Sequence, residues 1–248
     1  MSGAHPLRVL LTRSHDDNRT WAELLRTRGF EPITLGCIQT SPLPEAADAL
    51  ANDLDWCDWL TLSSRRAVRA VEGLFPGELP ARIQVACVGP ATAAEAKRVF
   101  GHVDRVAPDG TGRSLGVELA AALPRSARVL VAAAQEGRVD IEDVLRPAGI
   151  DVRRVAVYRT SPMEHGGAPL RLADLALDAV FLASPSAVRG LLNQTSVPGE
   201  VAVVALGPTT AEAARRAGLT VHAEAKTRGL DGLVEALGRH LQTKEETE

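Results

Sequence analysis

Short apolar runs rich in Val, Leu and Ile recur along the chain and alternate with longer, Ala-rich stretches whose apolar positions return every three or four residues. The short runs cover residues 8–12, 59–62, 84–88, 129–132, 179–182 and 201–206 and read as strands; the stretches between them read as helices that end at glycine. Strands that are apolar at nearly every residue, rather than at alternate ones, are buried on both faces. Alternation of such strands with helices predicts an α/β fold of doubly wound parallel sheets.

Comparing the chain with itself shows the pattern twice. At an offset of 120 residues, Arg8-Val9-Leu10-Leu11 matches Arg128-Val129-Leu130-Val131, and Gly29-Phe30-Glu31 matches Gly149-Ile150-Asp151. The same offset pairs Thr40-Ser41-Pro42 with Thr160-Ser161-Pro162 and Ala67-Val68-Arg69 with Ala187-Val188-Arg189, while GPATAAEA from Gly89 matches GPTTAEAA from Gly207 at 118. We read this as an internal duplication, hence two parallel-sheet domains. The segments 30–42 and 150–162 occupy equivalent places and close on proline. They are either ordinary strands or extended connectors between domains. The final TKEETE is charged and is expected to fray.

Composition narrows the function. The 248 residues are 45% hydrophobic and 24% charged, enough to bury a core. The 28 basic and 31 acidic residues give a net charge of −3. That balance argues against a general polyanion binder, and with four Phe, three Trp and one Tyr there is little to stack on bases, so nucleic acid is not an expected partner. The three cysteines Cys37, Cys57 and Cys87 form no CxxC pair and suit a reducing compartment. The opening MSGAHPLRVLL runs straight into a strand pattern rather than a leader, and no apolar run approaches the about 20 residues of a membrane span. A cytoplasmic protein without membrane contact is expected.

In doubly wound sheets ligands bind beyond the carboxyl ends of the strands, so the strand-to-helix junctions are the places to search. They carry Thr12-Arg13, Ser63-Ser64-Arg65, Gly89-Pro90-Ala91-Thr92, Gln135-Glu136-Gly137-Arg138, Ser184-Pro185-Ser186 and Gly207-Pro208-Thr209-Thr210. In the GPxT pattern glycine turns tightly, proline suits the first helical turn, and threonine sets a hydroxyl beside free amides. Helix starts attract anions, each contact contributing about 0.3–1 kcal/mol, so several together could hold a polycarboxylate without a basic surface. Simple capping by Ser and Thr is the alternative. Tyr158, the single tyrosine, stands where the other copy has Ile38, and Arg13 stands opposite Ala133. Such breaks mark work done by one copy only, or, for Tyr158, half-buried packing and, for Arg13 and Arg138, surface ion pairs.

Familiar cofactor signatures are missing. No GxGxxG follows a strand, no GxxxxGK[ST] occurs, and there is no GxSxG elbow. His5, His15, His102, His165, His222 and His240 lack metal-ligand spacing. No cofactor and no metal are expected.

The ordered set RVLLTR, Ser63-Ser64 with Ala67-Val68, VGPAT, VYRT, FLASPSAV, ALGPTTAEAARRAG and TRGLDGLVEAL resembles the uroporphyrinogen-III synthase family over nearly the whole chain. The resemblance implies a bilobal, cofactor-independent lyase of tetrapyrrole (porphyrin and heme) biosynthesis. Its domains would be residues 1–35 with 164–248 and residues 36–163, joined by a two-stranded β connector near 30–42 and 150–162. The implied substrate is hydroxymethylbilane, a linear tetrapyrrole rich in carboxylates. It is closed to uroporphyrinogen III with loss of water, through a spiro intermediate and with the last pyrrole inverted. Tyr158 would assist departure of the hydroxyl, since a phenol carries its proton at neutral pH. Arg13, Ser63, Ser64, Thr92, Arg138, Ser184, Thr209 and Thr210 would hold the acetate and propionate groups. The Ala-Ala-Gln run at Ala133 to Gln135 departs from the family's more Gly- and Arg-rich turn and leaves the part played by Arg138 open. A monomer is expected. The competing reading is a non-catalytic two-lobed sensor of a tetrapyrrole or other polyacid, derived from the same fold.

Overall fold

A computed structural model describes residues 5–164 and 170–245. In chain order the elements are β1 (Arg8–Leu11), α1 (His15–Arg26), β2 (Glu31–Thr34), β3 (Ile38–Pro42), α2 (Ala47–Trp56), β4 (Trp59–Leu62), α3 (Arg65–Leu74), β5 (Gln84–Cys87), α4 (Pro90–Phe100), β6 (Arg105–Val106) and α5 (Gly112–Ala122). Then follow β7 (Arg128–Ala134), α6 (Glu142–Leu145), β8 (Asp151–Pro162), β9 (Ala179–Leu182), α7 (Pro185–Leu192), β10 (Ala202–Ala205), α8 (Pro208–Arg216), β11 (Ala223–Glu224) and α9 (Leu230–Glu245). The chain divides into two compact units, Met1–Gln39 with Ser161–Glu248, and Thr40–Thr160.

The discontinuous unit holds a five-stranded sheet in the order β11-β10-β9-β1-β2, with every pair parallel. Alternate residues of its strands feed opposite layers. Ala179 and Phe181 of β9 pack with Ala22 and Leu25 of α1 and Leu233 and Leu237 of α9. Val180 and Leu182 pack with Val188 and Leu191 of α7 and Ala214 of α8. Helices on both faces explain why the strands are apolar throughout.

The contiguous unit holds a six-stranded sheet in the order β3-β8-β7-β4-β5-β6. The pairs β8/β7, β7/β4, β4/β5 and β5/β6 are parallel. Matching strands at the sequence offsets, its β6-β5-β4-β7-β8 order reproduces β11-β10-β9-β1-β2, and β3 is the addition at the edge. Leu60 and Leu62 face the layer of α2, α3 and α4; Trp59 faces the layer of α5 and α6.

Three local departures from the sequence reading have physical causes. Segment 30–42 is two strands, not one: β2 stays in the five-stranded sheet and β3 joins the other. Between them Asn18, fully buried on α1, donates from Nδ2 to Leu35 O at 3.0 Å, and the His15 ring lies where a Cβ on Gly36 would sit. Strand β7 continues to Ala134 because β8 pairs with it along its whole length. The terminal helix α9 runs to Glu245, so Thr243 to Glu245 are helical; residues 246–248 of the tail expected to fray lie outside the described residues, as does His165.

Candidate active site

All parallel strands of the six-stranded sheet end along one edge, and three of the singled-out junctions follow from it. The register sets their heights. Leu62 of β4 is level with Ala132 of β7, and Ala134, two residues on, pairs with Tyr158 of β8. Ser64, two residues beyond Leu62, therefore comes level with Tyr158, with β7 between them. Two strand spacings are about 10 Å. A tyrosine side chain covers that gap only over a small residue, and Ala134 supplies one, packed against the same core as Tyr158.

The face that Tyr158 presents is set by a β-bulge. Strict alternation along β8 would send Tyr158 to the same side as Val152, the layer of α5 and α6. The register slips between Ala133, paired with Ala156, and Ala134, paired with Tyr158. Val157 is thereby the extra residue, and Tyr158 joins Val155 and Val157 on the α3 face. There its hydroxyl lies 3.1 Å from Ser64 Oγ. Ser64 caps α3, accepting from Ala67 N–H at 3.2 Å. Tyr158 is buried, 6% exposed, and its carbonyl accepts from Gln135 N–H at 2.8 Å, which fastens the loop after β7 to the same residue.

The other expected residues of this unit are arranged less tightly. Ser63 is exposed beside Ser64. Thr92 is buried in the first turn of α4, whose cap Gly89 makes no side-chain cap bond. Arg138 is exposed and pairs with Asp140 at 2.9 Å. An exposed pair of this kind contributes little and leaves the guanidinium able to exchange partners. Cys87, at the end of β5, has its thiol pushed up to about 12 by burial, so it is no nucleophile at neutral pH.

In the five-stranded sheet the equivalent edge carries Arg13, Ser184, Thr209 and Thr210. Ser184 caps α7 through a 3.1 Å bond from Ala187 N–H, as Ser64 caps α3. Gly207, like Gly89, starts its helix without a side-chain cap; Thr209 is exposed and Thr210 buried. The two serine junctions thus spend an oxygen on capping, whereas the two Gly-Pro junctions offer their first-turn amides no side-chain acceptor, although in α8 Thr210 N–H donates to Gly207 O at 3.1 Å. Arg13 is engaged within its own unit, 3.2 Å from Asp17 and stacked 4.3 Å above the Trp21 ring. Its backbone N–H donates to Asn18 Oδ1 at 2.9 Å.

Sequence reasoning passed over Asn18, Ala134, Arg154 and Glu142. Asp17 and Trp21 stand four and eight residues after Arg13, a helical spacing that could have exposed its engagement. Nothing local signals the others. Among the described residues no three His, Cys, Asp or Glu side chains group as metal ligands, and no helix is long and apolar enough to cross a membrane.

The family model for Uroporphyrinogen-III synthase HemD matches residues 19–235. The chain is 30% identical to the rice (Oryza sativa subsp. japonica) "Uroporphyrinogen-III synthase, chloroplastic", over 98% of this chain and 85% of that protein. It is 28% identical to the "Porphyrin biosynthesis protein HemD" of Ruminiclostridium josui, over 93% of this chain but 48% of that protein, so it spans about half of that longer relative. Among solved structures, the uroporphyrinogen-III synthetase of Helicobacter pylori 26695 aligns with a TM-score of 0.64 and 18% identity, over 95% of this chain and 99% of that one. A mutant uroporphyrinogen III synthase from Thermus thermophilus aligns with a TM-score of 0.55 and 21% identity, over 96% and 99%. These two likenesses concern the fold.

Proposed function

The chain belongs to the uroporphyrinogen-III synthase family, and from that premise we propose how its residues carry out the reaction, the closure of hydroxymethylbilane to uroporphyrinogen III with loss of water and inversion of the terminal pyrrole. It is an enzyme of tetrapyrrole biosynthesis, a cyclising lyase. The observation that carries the residue assignments is the pairing of Tyr158 with Ser64 at the carboxyl edge of a parallel sheet.

Tyr158 assists the leaving hydroxyl. Ser64 Oγ already accepts from Ala67 N–H, so the serine proton is available to Tyr158. With Ser64 donating, the phenol O–H turns outward and donates to the departing hydroxyl, which leaves as water. The resulting electrophilic carbon is attacked by the substituted carbon of the terminal pyrrole, giving the spiro intermediate. Bond cleavage, re-closure and loss of a proton then complete the macrocycle. Catalysis is mainly orientation: the bilane must be held so that the substituted carbon, rather than the free one, meets the electrophile. Arg13, Ser63, Thr92, Arg138, Ser184, Thr209 and Thr210 hold its carboxylates, with the uncapped amides of α4 and α8 as further donors; Ser64, whose hydroxyl proton goes to Tyr158, contributes its backbone N–H. Arg13 serves by exchanging Asp17 for a substrate carboxylate.

We read the protein as a cytoplasmic monomer and, on the basis of its balanced charge, as one that does not bind nucleic acid; light scattering behind a sizing column tests the monomer. The sensor reading is not favoured. Incubation with freshly prepared hydroxymethylbilane and separation of the isomers tests the function: the inverted isomer is expected, and the uninverted isomer alone, formed at the uncatalysed rate, would overturn it.

A further inference from the structure

One buried ion pair of the contiguous unit is used by neither the core nor the chemistry described above. Arg154 stands on β8, four residues before Tyr158, and its side chain turns to the α6 face. It pairs there with Glu142, whose side chain is 1% exposed. The second carboxylate oxygen of Glu142 is buried without a hydrogen-bond partner among the described residues. Arg154 is thus the group that neutralises this carboxylate.

The same guanidinium also closes a loop. Nη2 donates to Ala134 O at 3.1 Å and Nη1 donates to Arg138 O at 3.2 Å. One planar fork therefore ties the end of β7, the far side of the turn and the first residue of α6. The turn is shaped to admit it. A Cβ on Gly137 would lie 2.7 Å from Arg154 Nη2 and 3.0 Å from Ala134 O, so only glycine lets the fork approach. The start of the loop is also anchored by Gln135 N–H on Tyr158 O. The loop so framed carries the exposed side chain of Arg138.

We propose that Arg154, with Glu142 and Gly137, is a positioning device that fixes the 135–140 loop and so sets where Arg138 meets a substrate carboxylate. The inference rests on the reading of Arg138 as a carboxylate contact. Lysine at position 154 keeps a cation opposite Glu142 but cannot span both carbonyls, because it lacks the planar fork.

The test compares Arg154→Lys, Gly137→Ala, Arg138→Ala and the double variant Arg138→Ala/Arg154→Lys in steady-state turnover of hydroxymethylbilane. Arg154→Lys and Gly137→Ala are each expected to raise KM roughly tenfold while kcat stays within about twofold, since a misplaced contact costs binding geometry. Adding Arg154→Lys to Arg138→Ala should raise KM no further. An unchanged KM in Arg154→Lys, or an equal rise in both backgrounds, overturns the proposal. Should Arg154→Lys fail to melt cooperatively, Gly137→Ala carries the same comparison. Amide hydrogen exchange supplies a readout independent of turnover: faster exchange across residues 135–140 in Arg154→Lys is expected, and unchanged protection overturns the proposal. A wild-type protein that makes no inverted isomer defeats the functional reading, and the exchange result still decides whether Arg154 holds the loop.

Discussion

Tyr158→Phe removes a single oxygen, and that oxygen is bonded to the residue that caps α3. The ring still fills the same core space, so the expected stability loss is about 1 kcal/mol, that of one hydrogen bond. If the hydroxyl assists the leaving group, kcat falls about 10²-fold while the product remains the inverted isomer. A stopped assay with isomer separation measures both; an unchanged kcat would remove Tyr158 from the chemistry. The sequence marked this residue because the repeat breaks there, with Ile38 opposite. It marked Ser64 as well, as a junction residue, but could not pair the two, since they lie far apart in the chain and meet through a register slip that leaves no local signature. Arg13 was marked by the same kind of break, yet its guanidinium is occupied by Asp17 and Trp21.

Strand β7 is the element on which the pairing depends. Ala134 is the small residue over which Tyr158 passes, so Ala134→Leu is expected to destabilise by about 1–3 kcal/mol through overpacking. It should also lower kcat about as far as Tyr158→Phe does, whereas retention of full activity would show that the ring does not need this path. At the opposite end of β7, Arg128 donates from Nη2 to Asp58 Oδ1 at 2.8 Å and from its backbone to Oδ2 at 3.0 Å. The other sheet repeats the backbone bond, from Arg8 to Asp178 at 2.7 Å. Hydrogen bonding by the Arg128 side chain, opposed by partial desolvation, holds the Asp58 carboxyl below the ordinary carboxylate range. A depressed folded-state value contributes stability above the unfolded value of about 4, and that contribution is lost as pH falls through the folded value. Wild-type protein should therefore resist urea better than Asp58→Asn at pH 7, and the gap should close in more acidic solution; a gap independent of pH would refute the assignment. The long strands and their helices were legible because apolar runs and 3.6-residue periodicity are local. The two-residue strands β6 and β11 were not, being shorter than any pattern, nor was the break at Leu35 to Cys37, which tertiary bonds from α1 impose.

For the molecule as a whole, the α/β class followed from the sequence because both layers of each sheet had to be covered, and four buried clusters cover them. The fastening of the chain where it leaves and re-enters the discontinuous unit did not follow. There Met163 N–H donates to Cys37 O at 2.8 Å, and α7 lies against both, with Gly190 facing them. Asn193 Nδ2 donates to Met163 O at 3.1 Å, and Gln194 Nε2 donates to Gly36 O at 3.0 Å. A Cβ on Gly190 would run into the Cys37 backbone, so Gly190→Ala is expected to cost about 3 kcal/mol; a denaturation midpoint equal to wild type would show that α7 yields. The order of assembly follows from the same layout. Strand β1 sits between β2 and β9, so it stays without one neighbour until Ala179 has been made. Residues 40–160 need no later segment to finish their sheet. During synthesis the contiguous unit can complete its sheet first, while β1 waits, open-edged, for β9 to enclose it.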